Sequence, residues 1–280
     1  MTVPFTKYHA LGNDYLVVNP DDTDIRLTEA SIRQICHRNY GVGSDGILLG
    51  PETGRSDAFS VRIFNPDGSE AEKSGNGLRI FSRYLFEQGL VDDRPFQILT
   101  AGGKVRSQVT EQGRTVSVEM GHVSFDSTKI PVSGPPREVL NEQLTVIGET
   151  LPFCAATIGN PHCVFPLDKI SAELARRVGP AVETHPLFPN RTNVQFMQVI
   201  DRRRIRIEIW ERGAGYTLAS GSSSCAAAAV AHKLGRCDGV IEVHMPGGIL
   251  EIEISPDFSV SMTGPVTRIC SGKIDSEMFS

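Results

Sequence analysis

Apolar and polar residues alternate along this chain over many short runs, and recur at helical spacing in only a few places. Alternation with period two marks half-buried strands. In the first half such runs lie at Phe5 to Val18 (broken by Gly12, Asn13 and Asp14), Phe59 to Phe64, Phe96 to Thr100, Lys104 to Thr110 and Thr115 to Met120. In the second half they lie at Leu144 to Ile147, Cys154 to Ile158, Asn193 to Ile200, Arg204 to Trp210, Val240 to His244, Ile249 to Ile254, Ser259 to Met262 and Val266 to Cys270. Glycine-bearing pairs such as Gly102-Gly103, Gln112-Gly113 and Gly247-Gly248 supply the turns. Helical spacing predicts four helices. Thr28 to Tyr40 has Thr28 as cap, Glu29 in the first turn and an Ile32, Ile35, Cys36 stripe; the others are Leu78 to Gln88, Ile170 to Val178 and Cys225 to Leu234. Asn19 to Asp24 and Glu183 to Phe188 read as polar loops. Phe125 to Asn141, with Pro131, Pro135 and Pro136, reads as a connection between halves.

The order repeats. A strand ending at Phe64, the turn Pro66-Asp67-Gly68, then Ser74-Gly75-Asn76-Gly77 lead into the second helix. A strand ending at Trp210, the turn Arg212 to Gly215, then Ser220-Gly221-Ser222 lead into the fourth. Two such units predict an internal duplication with paired sites, and an α+β protein of two pseudo-symmetric halves, each of β-strands wrapped around a central α-helix. The halves are expected at 1–121, with 266–280 returning to it, and 122–265. The first N–H groups of a helix lack intrahelical partners and carry partial positive charge. Glycines let a ligand approach the backbone, so each unit reads as an anion cradle with a serine at its mouth. The plainer reading of each serine is an N-cap. A cleft between the halves, with the two mouths facing one another, is the expected active site.

Gly41 to Gly46 matches G-x-G-x-x-G letter for letter, but a helix precedes it and a strand follows, the reverse of what a dinucleotide fingerprint requires. A glycine helix stop fits better. Hydrophobic content of 40% with 22% charged residues is that of a globular protein. A net charge of -5 argues against a general nucleic-acid or anionic-membrane surface. No run reaches membrane-spanning length and the first residues carry no apolar leader, so a cytoplasmic protein is expected. Six cysteines without CxxC spacing read as free thiols, and seven histidines without metal-site spacing predict no metal.

These motifs resemble those of the diaminopimelate epimerase family over nearly the whole chain. The match rests on His9-Ala-Leu-Gly-Asn13-Asp14-Tyr15, Asn65-Pro-Asp-Gly-Ser-Glu70, Gly75-Asn76-Gly77, Gly159-Asn160-Pro-His162-Cys163, Asn193 with Phe196-Met-Gln, Glu211-Arg212-Gly-Ala-Gly and Met262-Thr-Gly-Pro265. The resemblance implies a cofactor-independent isomerase that inverts the α-carbon of an amino acid, converting LL- to meso-diaminopimelate for lysine and peptidoglycan precursors. One group takes the α-proton from one face and another delivers a proton to the other. It also implies a homodimer whose only other partner is a small amino acid.

By the same resemblance Ser74 and Ser220 stand at the acid/base positions, where the family carries cysteine. An alcohol is a poorer base than a thiol unless an adjacent group takes its proton. The resemblance puts His162 beside the first site and Glu211 beside the second. Gly75 and Asn76, with Gly221 and Ser222, would hold the α-carboxylate at the helix mouths. Asn13, Asn65, Asn160, Asn193 and Arg212 would grip the distal amino-carboxylate end, the arginine through its bidentate fork. Asparagine in turns is commonly structural; several at matching family positions reverse that preference. Lys73, Tyr216 (where the family has glutamate) and Ser222 to Ser224 also differ from the family pattern, marking a divergent branch. Cys225, five residues past Ser220, reads as a packing residue. Two other readings stay open from the serines: a related dehydratase or tautomerase using one-sided proton abstraction, and a non-catalytic amino-acid binder.

Overall fold

The computed structural model describes residues 2–23, 27–52 and 58–279. Of the expected Asn19 to Asp24 loop, Asp24 lies outside the described residues; the remainder forms a 3-10 turn at Pro20–Asp22 capped by Asn19. The chain divides into two compact units, Met1–Glu119 with Gly264–Ser280, and Met120–Thr263.

In the first unit the predicted alternation becomes β1 (Thr2–Ala10), β2 (Asn13–Val18), β3 (Ile47–Glu52), β4 (Ala58–Phe64), β5 (Glu70–Ala71), β6 (Phe96–Thr100), β7 (Gly103–Thr110) and β8 (Thr115–His122). β1 and β2 are antiparallel, β2 and β3 parallel, β3 and β4 antiparallel, β4 and β6 parallel, and β6–β7 and β7–β8 antiparallel. The last strand, β18 (Thr267–Asp275), returns to pair β1, with Val3 opposite Ile274. Between β2 and β3 runs α1 (Glu29–Cys36), which buries Ile32, Ile35 and Cys36 against Val3, Leu16 and Ile47.

The second unit repeats this pairing. β10 (Glu149–Thr157) and β11 (Pro161–Pro166) are antiparallel, and β11 is parallel to β12 (Asn193–Asp201). β12 and β13 (Arg204–Glu211) are antiparallel, and β13 is parallel to β15 (Val240–Met245). β15, β16 (Gly248–Ile254) and β17 (Ser259–Pro265) continue antiparallel. β9 (Glu142–Val146) extends β10, and β14 (Gly215–Thr217) folds onto β13 as β5 does onto β4. The helix α3 (Ala172–Glu183), capped by Ser171, lies against β13. There Gly179 is required: a Cβ would sit 2.6 Å from Trp210 Cβ.

At the centre of each unit stands a 13-residue helix, α2 (Gly75–Glu87) and α4 (Gly221–Lys233). The two align position for position, from the capping serines to the left-handed glycines that stop them, Gly89 at φ 70° and Gly235 at φ 69°. Each is buried nearly all round. A helix surrounded by strands has little polar face to present, and α4 loses the one-sided pattern of a surface helix while α2 keeps it. In α4 this is met by small residues, Ala226 to Ala229.

The structure moves several expected boundaries. α2 and α4 open at Gly75 and Gly221, before Leu78 and Cys225, because the serine caps draw glycine-rich residues into the first turn. α1 ends at Cys36, not Tyr40. His37 takes an extended conformation, and its ring Nδ1 accepts the backbone N–H groups of Asn39 and Tyr40, turning the chain away. The glycine run therefore does not directly cap α1, yet Gly43 and Ser44 donate back to the Ile35 and Cys36 carbonyls at the helix end.

Candidate active site

The first unit's mouth is the N-terminus of α2. Ser74 is extended (φ −140°, ψ 117°), so its side chain turns back over the first turn and Oγ accepts the Gly77 N–H at 3.1 Å. Gly77 makes this close fit possible, since a Cβ there would lie 3.2 Å from Ser74 Oγ. The same Oγ lies 3.4 Å from the Tyr15 hydroxyl on β2. Around this mouth runs a chain of amides and charges. The fully buried Arg79 donates to Asn76 Oδ1 at 2.6 Å and to the Pro265 carbonyl at 3.2 Å. Asn76 Nδ2 donates to Asn13 Oδ1, and Asn13 Nδ2 to Asp45 Oδ2, each at 3.0 Å. Arg38 bridges Asp45 and Asp14, and Lys7 completes the cluster on Asp14. Against the burial that works the other way, hydrogen bonds from Arg38 and Lys7 hold the Asp14 carboxyl down at about 2. The amide orientations of Asn13 and Asn76 are thus set by a charged network behind them. Asn65 stands apart, its Nδ2 on Ser69 Oγ in the turn before β5.

The second unit's mouth is the N-terminus of α4, where Ser220 (φ −148°, ψ 124°) accepts the Ser223 N–H at 3.4 Å. Glu211, at the end of β13, is half-buried. Burial pushes its carboxyl above the usual range, while the Ser220 and Thr217 hydroxyls pull in the opposite sense. The second loop of this unit is organised from below by the buried Glu183. It takes the Trp210 Nε1–H at 2.7 Å, the Gly213 N–H at 2.8 Å and Arg191. Asn193 accepts the Arg212 N–H and donates to the Pro161 carbonyl, both at 3.0 Å. The Arg212 guanidinium is exposed and donates to the Asn190 carbonyl at 3.0 Å. His162 is fully buried, its Nε2 3.0 Å from Asn160 Oδ1. Nδ1 has no hydrogen bond of good geometry among the described residues. Burial drives the His162 pKa down to about 3, against the pull of the Gln195 amide, and Arg212 adds to the lowering. This imidazole is neutral near pH 7.

Of the residues singled out in the sequence, Ser74, Gly75, Asn76 and Asn13 meet in the first unit; Ser220 with Glu211, Asn160 with His162, and Asn193 with Arg212 meet in the second, where Gly221 and Ser222 form the first turn of α4. Cys225 is buried in α4. Tyr216 does not point to a free site: its hydroxyl donates to the buried Glu208 at 2.6 Å and Arg176 lies over its ring. Sequence reasoning missed Tyr15, Arg79, Asp45, Gln195 and Glu183. Tyr15 sits inside a quoted motif and was the most findable; the rest depend on contacts between residues far apart in the chain. Among the described residues, no group of three or more His, Cys, Asp and Glu is arranged to hold a metal ion.

Comparison with known proteins agrees in sequence and in fold. The family model described as diaminopimelate epimerase matches residues 5–125 and 154–269. "Diaminopimelate epimerase 2" of Nostoc sp. (strain PCC 7120) is 63% identical over 276 residues, covering 99% of this chain and 97% of that protein. The diaminopimelate epimerase of Moorella thermoacetica is 42% identical over 273 residues, covering 96% and 98%. The crystal structure of a hydroxyproline epimerase from Agrobacterium vitis superposes with a TM-score of 0.71 at 16% identity, over 98% of this chain and 92% of that one, a likeness of fold.

Proposed function

This chain belongs to the diaminopimelate epimerase family and is an isomerase of the epimerase class, and from that premise we infer that it interconverts LL- and meso-diaminopimelate without a cofactor. The observation that carries this is the pair of matched helix mouths, each with a serine cap at the same position of a duplicated fold. In this reading each mouth supplies one of the two proton-transfer groups. The free N–H groups of the first turns, at Gly75 and Asn76 and at Gly221 and Ser222, hold the α-carboxylate. They also take up the negative charge that gathers on it as the α-proton leaves. Ser74 and Ser220 are the groups nearest the carbon, and Glu211 is the proton acceptor behind Ser220. His162, neutral and buried, fixes Asn160 and serves by hydrogen bonding rather than by charge.

Asn13, Asn65, Asn160, Asn193 and Arg212 form the reading's grip on the distal amino-carboxylate end. Asn193 holds the backbone of Arg212, so the guanidinium fork starts from a fixed point. No described helix is long and apolar enough to cross a membrane, and the reading places the enzyme in the cytoplasm with a soluble amino acid as substrate. A direct test incubates the purified protein with LL-diaminopimelate and separates stereoisomers by chiral chromatography. The meso form should appear, and should cease to appear in Ser74→Ala and in Ser220→Ala. Loss of water or a new chromophore in place of inversion would replace this reading with one-sided proton abstraction, for which the single carboxylate at Glu211 would be the base.

A further inference from the structure

Four side chains of the second unit form a line: Asn160, His162 on β11, Gln195 on β12 and Ser223 in the first turn of α4. Asn160 Oδ1 lies 3.0 Å from His162 Nε2. His162 stands opposite Asn193 in the parallel β11–β12 register, so Gln195, two residues on, is its diagonal neighbour on the same face of the sheet. On that face Gln195 Nε2 donates to Ser223 Oγ at 2.9 Å, and the Ser223 N–H reaches Ser220 Oγ at 3.4 Å. His162, Gln195 and Ser223 are fully buried. Two atoms of the line have no hydrogen-bond partner among the described residues, His162 Nδ1 and Gln195 Oε1. Buried polar atoms without partners are rare, and here the two belong to neighbours.

A neutral imidazole has a single N–H. When Nε2 carries it and donates to Asn160 Oδ1, Nδ1 is left an acceptor, and the Gln195 group left to meet it is an oxygen, a second acceptor. Among the described residues no acceptor takes the Ser223 hydroxyl hydrogen either. Turning the Gln195 carboxamide over exchanges its N–H groups with its oxygen and leaves every other atom in place. Gln195 Nε2 then faces His162 Nδ1, and Gln195 Oε1 accepts from Ser223 Oγ–H, so each donor in the line meets an acceptor. Two rival settings do worse. A doubly protonated ring needs no turned amide, but it buries a positive charge with no carboxylate among its partners, and Arg212 opposes it. An Nδ1–H ring needs Asn160 turned over and still leaves the Ser223 hydrogen unused.

Resting on the epimerase reading, we propose that Gln195 and Ser223 are positioning residues that hold His162 as its Nε2–H tautomer, and so fix Asn160 to present its amide N–H groups to the ligand. An asparagine free to turn does not tell a carboxylate from an ammonium group, because its amide both donates and accepts. With Oδ1 held by His162, the remaining polar group of the half-buried Asn160 is Nδ2, which makes no hydrogen bond among the described residues. This position therefore reads an oxygen acceptor, the distal carboxylate of the substrate and not its distal ammonium group. No proton travels along the line; it sets a direction.

The tautomer is read in the ligand-free protein at pH 7 by two-bond 15N–1H NMR of histidine-labelled protein, with His162→Gln identifying the signals. The parent should show His162 protonated on Nε2 and bare on Nδ1. Ser223→Ala changes no hydrogen bond of His162 or Asn160, yet it should release Gln195 and let an Nδ1–H population grow. Gln195→Leu should displace the Nδ1 signal by removing its donor. An Nδ1–H or doubly protonated His162 in the parent, or signals unmoved in both variants, overturns the proposal. Specificity is read by inhibition with two probes. Gln195→Leu should weaken 2-aminopimelate, which keeps the distal carboxylate, by about threefold to tenfold. Lysine, which keeps only the distal amine, should be unaffected, and KM for diaminopimelate should rise more than kcat falls. Equal losses for both probes would overturn the assignment. If the protein does not act on diaminopimelate at all, the epimerase reading fails, and the NMR spectra still decide how Gln195 and Ser223 set His162.

Discussion

Burying a neutral imidazole makes the protein sensitive to acid in a calculable way. His162 is fully buried with its pKa lowered to about 3, whereas an unfolded histidine titrates near 6.5. Between these values the unfolded chain binds a proton that the folded chain refuses, so stability falls as pH drops through that window. Linkage puts the loss from this one group at about 2 kcal/mol between pH 7 and pH 5, and about 3 kcal/mol by pH 4. His162→Gln keeps a hydrogen-bonding side chain and removes the titration. Urea unfolding at pH 7, 6 and 5 should therefore show the variant less stable than the parent at pH 7, with the gap closing by about 2 kcal/mol at pH 5. Parallel curves across that range would refute the reasoning: they would mean that His162 is charged when folded, or that water reaches it. A charged His162 would still donate to Asn160 but would bring a positive charge to the site, against its assignment as a neutral partner.

Glu211→Gln should separate function from stability. Because the Glu211 carboxyl is raised, its ionised form is disfavoured by folding, so at pH 8 the variant should melt at or above the parent temperature while turnover falls at least tenfold; a clear drop in Tm would contradict the burial argument. Gly179→Ala puts a methyl 2.6 Å from Trp210 and should cost about 1–3 kcal/mol, read as a lowered urea midpoint with unchanged slope. Arg79→Met leaves Asn76 Oδ1 and the Pro265 carbonyl without their buried donor, so KM for diaminopimelate should rise more than kcat falls, and Arg79→Lys should restore part of the loss. Equal effects on both constants would assign Arg79 to packing alone.

Much of the fold was legible because strands carry their burial in a period of two. Phe96 to Thr100 came out of the alternation to the residue, and Ile32, Ile35 and Cys36 from helical spacing. The central helices were harder. In α2 the first turn is Gly75, Asn76 and Gly77, residues whose intrinsic preference is for a loop, and only the capping contact of Ser74 makes them helical. In α1, by contrast, periodicity ran on to Tyr40 while the His37 ring had already turned the chain. At the site, Ser74 and Ser220 could be found from their repeated setting. Arg79 could not: an arginine on a helix predicts a solvent contact, and its burial depends on a carbonyl 186 residues away. His162 and Glu211 were legible as residue types, but their unusual protonation follows from burial, which no short motif encodes.

The central claim is that two serine-capped helix mouths move a proton across an α-carbon, and α-proton exchange in deuterated water tests it most directly. LL-diaminopimelate is incubated with the protein in D2O, and the α-proton signal and the meso isomer are followed together by NMR, beside the Ser74→Ala/Ser220→Ala protein. The account predicts loss of the α-proton signal in step with inversion in the parent protein, and neither in the double variant. Binding of diaminopimelate with no exchange in the parent, or exchange that persists undiminished in the double variant, would contradict it.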